Sequence, residues 1–286
     1  ITTINFNYIK SAKSFIPSVY EPSQEELNAT ATKIGQTAAQ LLYFGEIKKA
    51  SQLGKLAVDL NPNQDKLWAL LAEIHLQSNN LEEARSSLNK AKLLNPNNSI
   101  YLFAEANIDF LEKKIKKSVS AIEKGLSMDP NNPGAYFQLG NAKLVMKEFP
   151  NALKAFKKAN KIKPNFWQSL NNQGLVLYEM GEREKAIEIW KKTIIIKEDA
   201  EPILALAAAK YSIGKDNSES FASAKKALIK NPNYVLSIYQ KEQLWGNRLC
   251  RSVETLFKDP EMSISVEKAL ENVTITQDDE NDSGAK

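Results

Sequence analysis

Five proline–asparagine pairs fall on one lattice: Pro62-Asn63, Pro96-Asn97, Pro130-Asn131, Pro164-Asn165 and Pro232-Asn233. The first four are 34 residues apart and the fifth follows after 68, with Glu198 standing where the missing proline would fall. Proline lacks an N–H and clashes with the preceding turn, so each marks the end of a helix, and the asparagine suits the turn that follows. A chain punctuated at one period is built from repeats, and that constrains its fold more than any single motif does.

Between prolines lie two apolar-periodic stretches. Leu67, Leu70, Leu71, Ile74 and Leu76 recur at helical spacing, and after Asn79-Asn80 the pattern resumes at Leu81, Ala84, Leu88 and Ala91. Each unit therefore reads as two amphipathic helices joined by a tight turn. Neither helix can bury its stripe alone, so stacked neighbours must supply the core.

The unit resembles the tetratricopeptide repeat, whose 34-residue pattern is W-x2-L-G-x2-Y, A-x3-F and P. The best match is Tyr136, Leu139-Gly140, Ala152, Phe156, Ala159 and Pro164. Units at 65–98, 167–200 and 201–234 keep most of the pattern. Those at 31–64 and 99–132 are degenerate, with Gly54 where a large residue is usual and Asp109 at the aromatic position. The fold class expected is all-α, a right-handed α-solenoid of six such helix pairs with a C-terminal capping helix. Its repeats fill 23–234, Ser23 to Glu26 forming a capping box that starts the first.

Residues 1–22 read as a short helix, with Tyr8, Ile9, Ala12, Phe15 and Ile16 on one face, and a proline-containing connector. That helix packs over the first repeat or serves as an interfacial docking helix. The capping helix is expected over 235–258, where Ile238, Leu244, Leu249 and Val253 continue the helical period to cover the last repeat. Residues 259–286 read as an extension whose acidic tail, with Asp278, Asp279, Glu280 and Asp282, is disordered. The first residue is Ile1 rather than methionine, which leaves room for an upstream signal or anchor.

Composition removes several classes of chemistry. One cysteine and one histidine exclude a disulfide framework and a multi-ligand Cys/His zinc site. No eighteen-residue apolar run exists to span a membrane. His75 and Cys250 read as packed residues, and Gly214-Lys215 lacks the rest of a phosphate loop. No enzyme activity, cofactor or metal is expected.

The resemblance places partner binding on the concave face, lined by the first helix of each repeat. Carried over, the groove residues are Glu73, Phe103, Asn107, Phe110, Phe137, Gln138, Asn141, Asn171, Asn172 and Tyr178. Their amides suit the backbone of an extended peptide and their rings suit apolar side chains. The competing reading has these residues only packing between helices. The lysine, asparagine and arginine clamp for chaperone tails is not matched, because Phe103 and Phe137 stand where it has lysine.

Lys90, Lys124, Lys158, Lys192 and Lys226 recur every 34 residues, doubled by Lys157, Lys191 and Lys225. A solvated outer helix face accounts for this ridge. The alternative is that it binds nucleic acid or an anionic membrane. Against nucleic acid, the chain has 34 Lys to 4 Arg, without the arginine clusters and interleaved aromatics of such faces. A third reading is a self-stacking array.

Beyond the repeats, Ile16-Pro-Ser-x-Tyr-Glu-Pro22 and Leu244-Trp245-Gly246 are similar to flanks of the cyanobacterial and chloroplast Pitt-like proteins. That resemblance implies a cytoplasmic protein, peripheral at the thylakoid membrane, that stabilises a pigment-synthesis or photosystem-assembly partner.

Overall fold

The lattice prolines turn the chain by restricting the residue before them. Asn61, Asn95, Asp129 and Lys163 each end a helix outside the α region, with φ from −143° to −124° and ψ from 80° to 91°, because a following proline disfavours the α region. Lys197 adopts the same shape (φ −146°, ψ 113°) although Glu198 follows it, so the turn survives the missing proline. The computed structural model describes residues 20–214 and 217–274.

Six antiparallel helix pairs result: α1 (Gln24–Tyr43) with α2 (Ile47–Leu60), α3 (Asp65–Gln77) with α4 (Leu81–Leu94), and α5 (Ser99–Leu111) with α6 (Ile115–Met128). There follow α7 (Pro133–Val145) with α8 (Phe149–Ile162), α9 (Trp167–Glu179) with α10 (Arg183–Ile196), and α11 (Ala200–Tyr211) with α12 (Asn217–Lys230). Each second helix also packs on the first helix of the next pair, which makes the stack an α-solenoid. The predicted capping box opens α1: Ser23 Oγ accepts from the Glu26 N–H, and Glu26 Oε2 accepts from the Ser23 N–H.

A second lattice governs the turn inside each pair. Gly45, Asn79, Lys113, Lys147 and Gly181, again 34 residues apart, have φ between 58° and 86°. Only glycine takes this left-handed conformation without steric cost, yet two lysines hold it here.

The pairs close by a small residue under a large one. A Cβ on Gly140 would lie 2.4 Å from the Phe156 ring, and one on Gly174 would lie 2.4 Å from Trp190. The degenerate units solve the same problem differently. In the third pair the order is reversed: Gly125 lies on the second helix, and Phe103 of the first fills its space. Over Gly54 of the first pair it is Ile74, from α3 of the next pair, that fills the space. Asp109, at the aromatic position, is paired with Arg85 at 2.7 Å, and Arg85 also holds Glu112. Tyr101 and Asn95 both donate to Asp65, so ionic and polar bonds join the second and third pairs.

The C-terminal part departs from expectation. In place of one capping helix over 235–258 there is a 3-10 turn (Pro232–Val235), a short α13 (Ser237–Glu242), a reversal at Leu244 (φ 64°), and α14 (Asn247–Phe257). α14 lies across α11 and α9 rather than capping the stack. The end of the last pair is covered instead by α15 (Ser263–Glu271), which packs on α12 and the 3-10 turn. The expected helix around Tyr8 and the tail from 275 onward lie outside the described residues.

Candidate concave groove

The first helices α3, α5, α7, α9 and α11 present one residue each in a row: Glu73, Asn107, Asn141, Leu175 and Ala209. Glu73 is exposed, and Asn107 and Asn141 are half-buried. Leu175 and Ala209 are 1% and 0% exposed. The row is therefore open at one end and closed at the other.

α14 does the closing. Its Leu249, Val253 and Leu256 are buried in one cluster with Leu175, Tyr178, Ala205 and Ala209. Polar bonds fix its orientation. Glu179 Oε1 accepts from the backbone N–H groups of Arg248 and Leu249, satisfying two free donors at the start of α14. The Tyr178 hydroxyl bonds the hydroxyls of Ser252 and Ser212. Trp245 Nε1 donates to Glu201 at 2.9 Å. Burial there pushes the Glu201 carboxyl up to about 7, against the opposing pull of its hydrogen bonds.

The triplet Leu244-Trp245-Gly246 builds this joint. Leu244 makes the reversal and packs in the cluster of Leu144 and Phe156. Trp245 reaches Glu201, and Gly246 leaves room for Glu179, whose Cδ would stand 2.1 Å from a Cβ there.

The predicted groove residues accordingly divide. Glu73, Asn107, Phe110, Phe137, Gln138 and Asn141 stay partly or fully exposed. Asn171, Asn172 and Tyr178 are buried, at 1%, 8% and 1% exposure, and lie in the closed half. They are not reachable surface as expected from the sequence; Asn171 donates to Asn172, and Asn172 donates to Asn141 at 2.8 Å. Phe103 is a core residue, 8% exposed over Gly125, rather than a groove pocket. Phe137 is half core, its ring centroid 5.8 Å from Phe156 and 5.1 Å from Phe166. Among the described residues Gln138 Oε1 is buried without a hydrogen-bond partner.

The groove residues the sequence did not single out are those of the returning segment: Trp245, Arg248 and Arg251. The positive φ at Leu244 was not visible in a segment that keeps the helical period.

On the convex side the lysine ridge is partly neutralised. Lys191 pairs with Glu188, Lys225 with Glu261 and Lys226 with Glu198, and Lys158 lies 5.7 Å over the Tyr136 ring. Among the described residues no helix is long and apolar enough to cross a membrane.

Family models described as tetratricopeptide repeat match residues 41–108 and 133–166. No curated protein matches the chain by sequence. Among solved structures the chain is similar to PilF of Pseudomonas aeruginosa, at 17% identity and TM-score 0.63, over 77% of this chain and 98% of that one. It is also similar to PilW, described as a widely conserved type IV pilus biogenesis factor, at 16% identity and TM-score 0.64, over 74% and 98%. The Cut9–Hcn1 hetero-tetramer of APC/C gives 14% identity and TM-score 0.65, over 78% of this chain and 46% of that one. The proline lattice, the paired helices and these matches agree: the chain carries tetratricopeptide repeats at 41–108 and 133–166, and its fold is that of the repeat solenoids it resembles.

Proposed function

We propose that this chain is a non-catalytic scaffold that holds an extended segment of a protein partner in the open concave groove of its first four repeats. The observation that carries the reading is that the other half of the same groove already holds polypeptide: α14 lies across α9 and α11, anchored by Leu249, Val253 and Leu256. Side chains that grip a segment in one half are continued by open ones in the other. Asn107 and Asn141 lie one repeat apart, both half-buried, and offer amide groups to a peptide backbone. Phe110 and the exposed part of Phe137 supply apolar contact.

The finer role, stabilising a membrane-associated pigment-synthesis or photosystem-assembly partner, rests on the Pitt-like flanks alone. One of those flanks, Leu244-Trp245-Gly246, has a structural role in making the reversal, so it favours the pathway less than it would as a free motif.

The test is capture from nuclease-treated lysate and solubilised membranes, comparing wild type with the Asn107→Ala, Asn141→Ala double variant. Phe137 is avoided because its truncation would remove ring packing on Phe156, and because Asn141→Ala takes away the acceptor of the Asn172 amide, the Asn107→Ala single variant is measured beside the double. Retention of one protein by wild type and its loss from a variant that still unfolds at the wild-type temperature supports the reading. Equal retention by both proteins contradicts it.

A further inference from the structure

Where the fourth repeat meets the returning segment, a cleft of about 490 Å³ opens beside the groove, with an apolar floor and a basic rim. Leu144, Val145, Phe149 and Leu244 form the floor, and Val145 is 42% exposed. The rim carries Lys147, Lys241, Arg248 and Arg251, all exposed and none in an ion pair among the described residues. Among the described residues the one acid lining the cleft, Glu179, spends an oxygen on the first turn of α14. Arg248 and Arg251 lie three residues apart on α14, away from the Leu249, Val253 and Leu256 face that packs in the core.

We propose that this cleft is the anchor point for the partner, and that it takes an acidic segment of a protein that places an apolar side chain on the Val145 floor and carboxylates on Arg248 and Arg251. The inference rests on the groove reading above and names its partner class. Four cations with one already occupied acid give an electrostatic field that selects anions, and guanidinium groups pair carboxylates bidentately. An apolar floor between them favours an amphipathic peptide over a phosphate polymer, which has no apolar group to bury there.

The experiment is fluorescence anisotropy on the full chain. The probe is a fluorescein-labelled twelve-residue peptide alternating Glu and Leu, with controls in which Gln replaces Glu or Ala replaces Leu. Binding by the Glu–Leu probe, with affinity reduced at least tenfold in Arg248→Glu, Arg251→Glu and by either control substitution, is the expected result. Lys147→Glu, on the opposite side of the cleft from α14, should weaken the probe independently, which keeps the test valid if the double reversal disturbs the helix. Equal binding of the Gln peptide, no binding of the probe, or preferential binding of a dT oligonucleotide or phosphatidylserine vesicles would overturn the proposal. If the probe binds only a chain ending at residue 274, the acidic tail is the occupant and the partner assignment fails. Probe binding sensitive to Asn141→Ala but not to charge reversal would spare the groove reading and refute the anchor; the opposite pattern would spare the anchor alone.

Discussion

The indole Nε1 of Trp245 donates to the Glu201 carboxylate across 2.9 Å and ties the returning segment to the first turn of α11. This bond joins a partly buried carboxyl group to the element that covers it. The docking of that segment, and with it the division of the groove, is therefore coupled to pH.

Burial raises the Glu201 carboxyl from 4.5 to about 7, so the folded chain holds this proton more tightly than the unfolded one does. Stability from this group is fully present below about pH 4.5 and is lost as pH rises through 7. Wild type should lose melting temperature between pH 5 and pH 8, and Glu201→Gln should flatten that slope. Parallel curves for the two proteins would remove Glu201 from the account.

α14 is held chiefly by its apolar face, since Leu249 and Leu256 are both fully buried. Truncating either to alanine should cost about 2–5 kcal/mol, the usual range for a buried leucine. The damage should be local: proteolysis should cut first in the 241–246 reversal while the first four repeats stay intact. Denaturant unfolding followed by hydrogen exchange of the α14 amides and by circular dichroism would separate the two events.

Gly125 and Phe103 make a reversed copy of the Gly140–Phe156 and Gly174–Trp190 pairs. Gly125→Ala puts a Cβ 2.4 Å from the Phe103 ring and should destabilise the chain by about 1–3 kcal/mol through overpacking. Adding Phe103→Leu should recover part of that loss. A double-mutant cycle that shows simple additivity would mean the two residues do not share this space.

The repeat lattice is legible because backbone chemistry enforces it: a proline beyond the first turn stops a helix, whereas Pro133, Pro150 and Pro202 sit in first turns, and Lys197 shows the turn persisting where a lattice proline is missing. The reversed pair was not legible, because Gly125 read alone is only a small residue at a small position. The fold-back was hidden for a different reason. Ile238, Leu244, Leu249 and Val253 keep a helical period whether the segment stacks beyond the sixth repeat or turns into the groove. The choice rests on a positive φ at Leu244 and on the space Gly246 leaves for Glu179, neither of which periodicity encodes. Hence Asn171, Asn172 and Tyr178 shared the sequence pattern of groove residues yet lie beneath α14's half of the groove.

The division of one groove into an open and a self-filled half can be read from thiol accessibility. Single cysteines at Glu73, Asn107, Leu175 and Ala209, in a Cys250→Ser background, would each be timed against a maleimide reagent. These four share one row, from exposed at Glu73 to 1% and 0% at Leu175 and Ala209. The account predicts fast modification at 73 and 107 and modification at least a hundredfold slower at 175 and 209, with the slow pair accelerated by Leu249→Ala. Comparable rates at all four positions would mean that α14 does not fill the groove, and the account would fail.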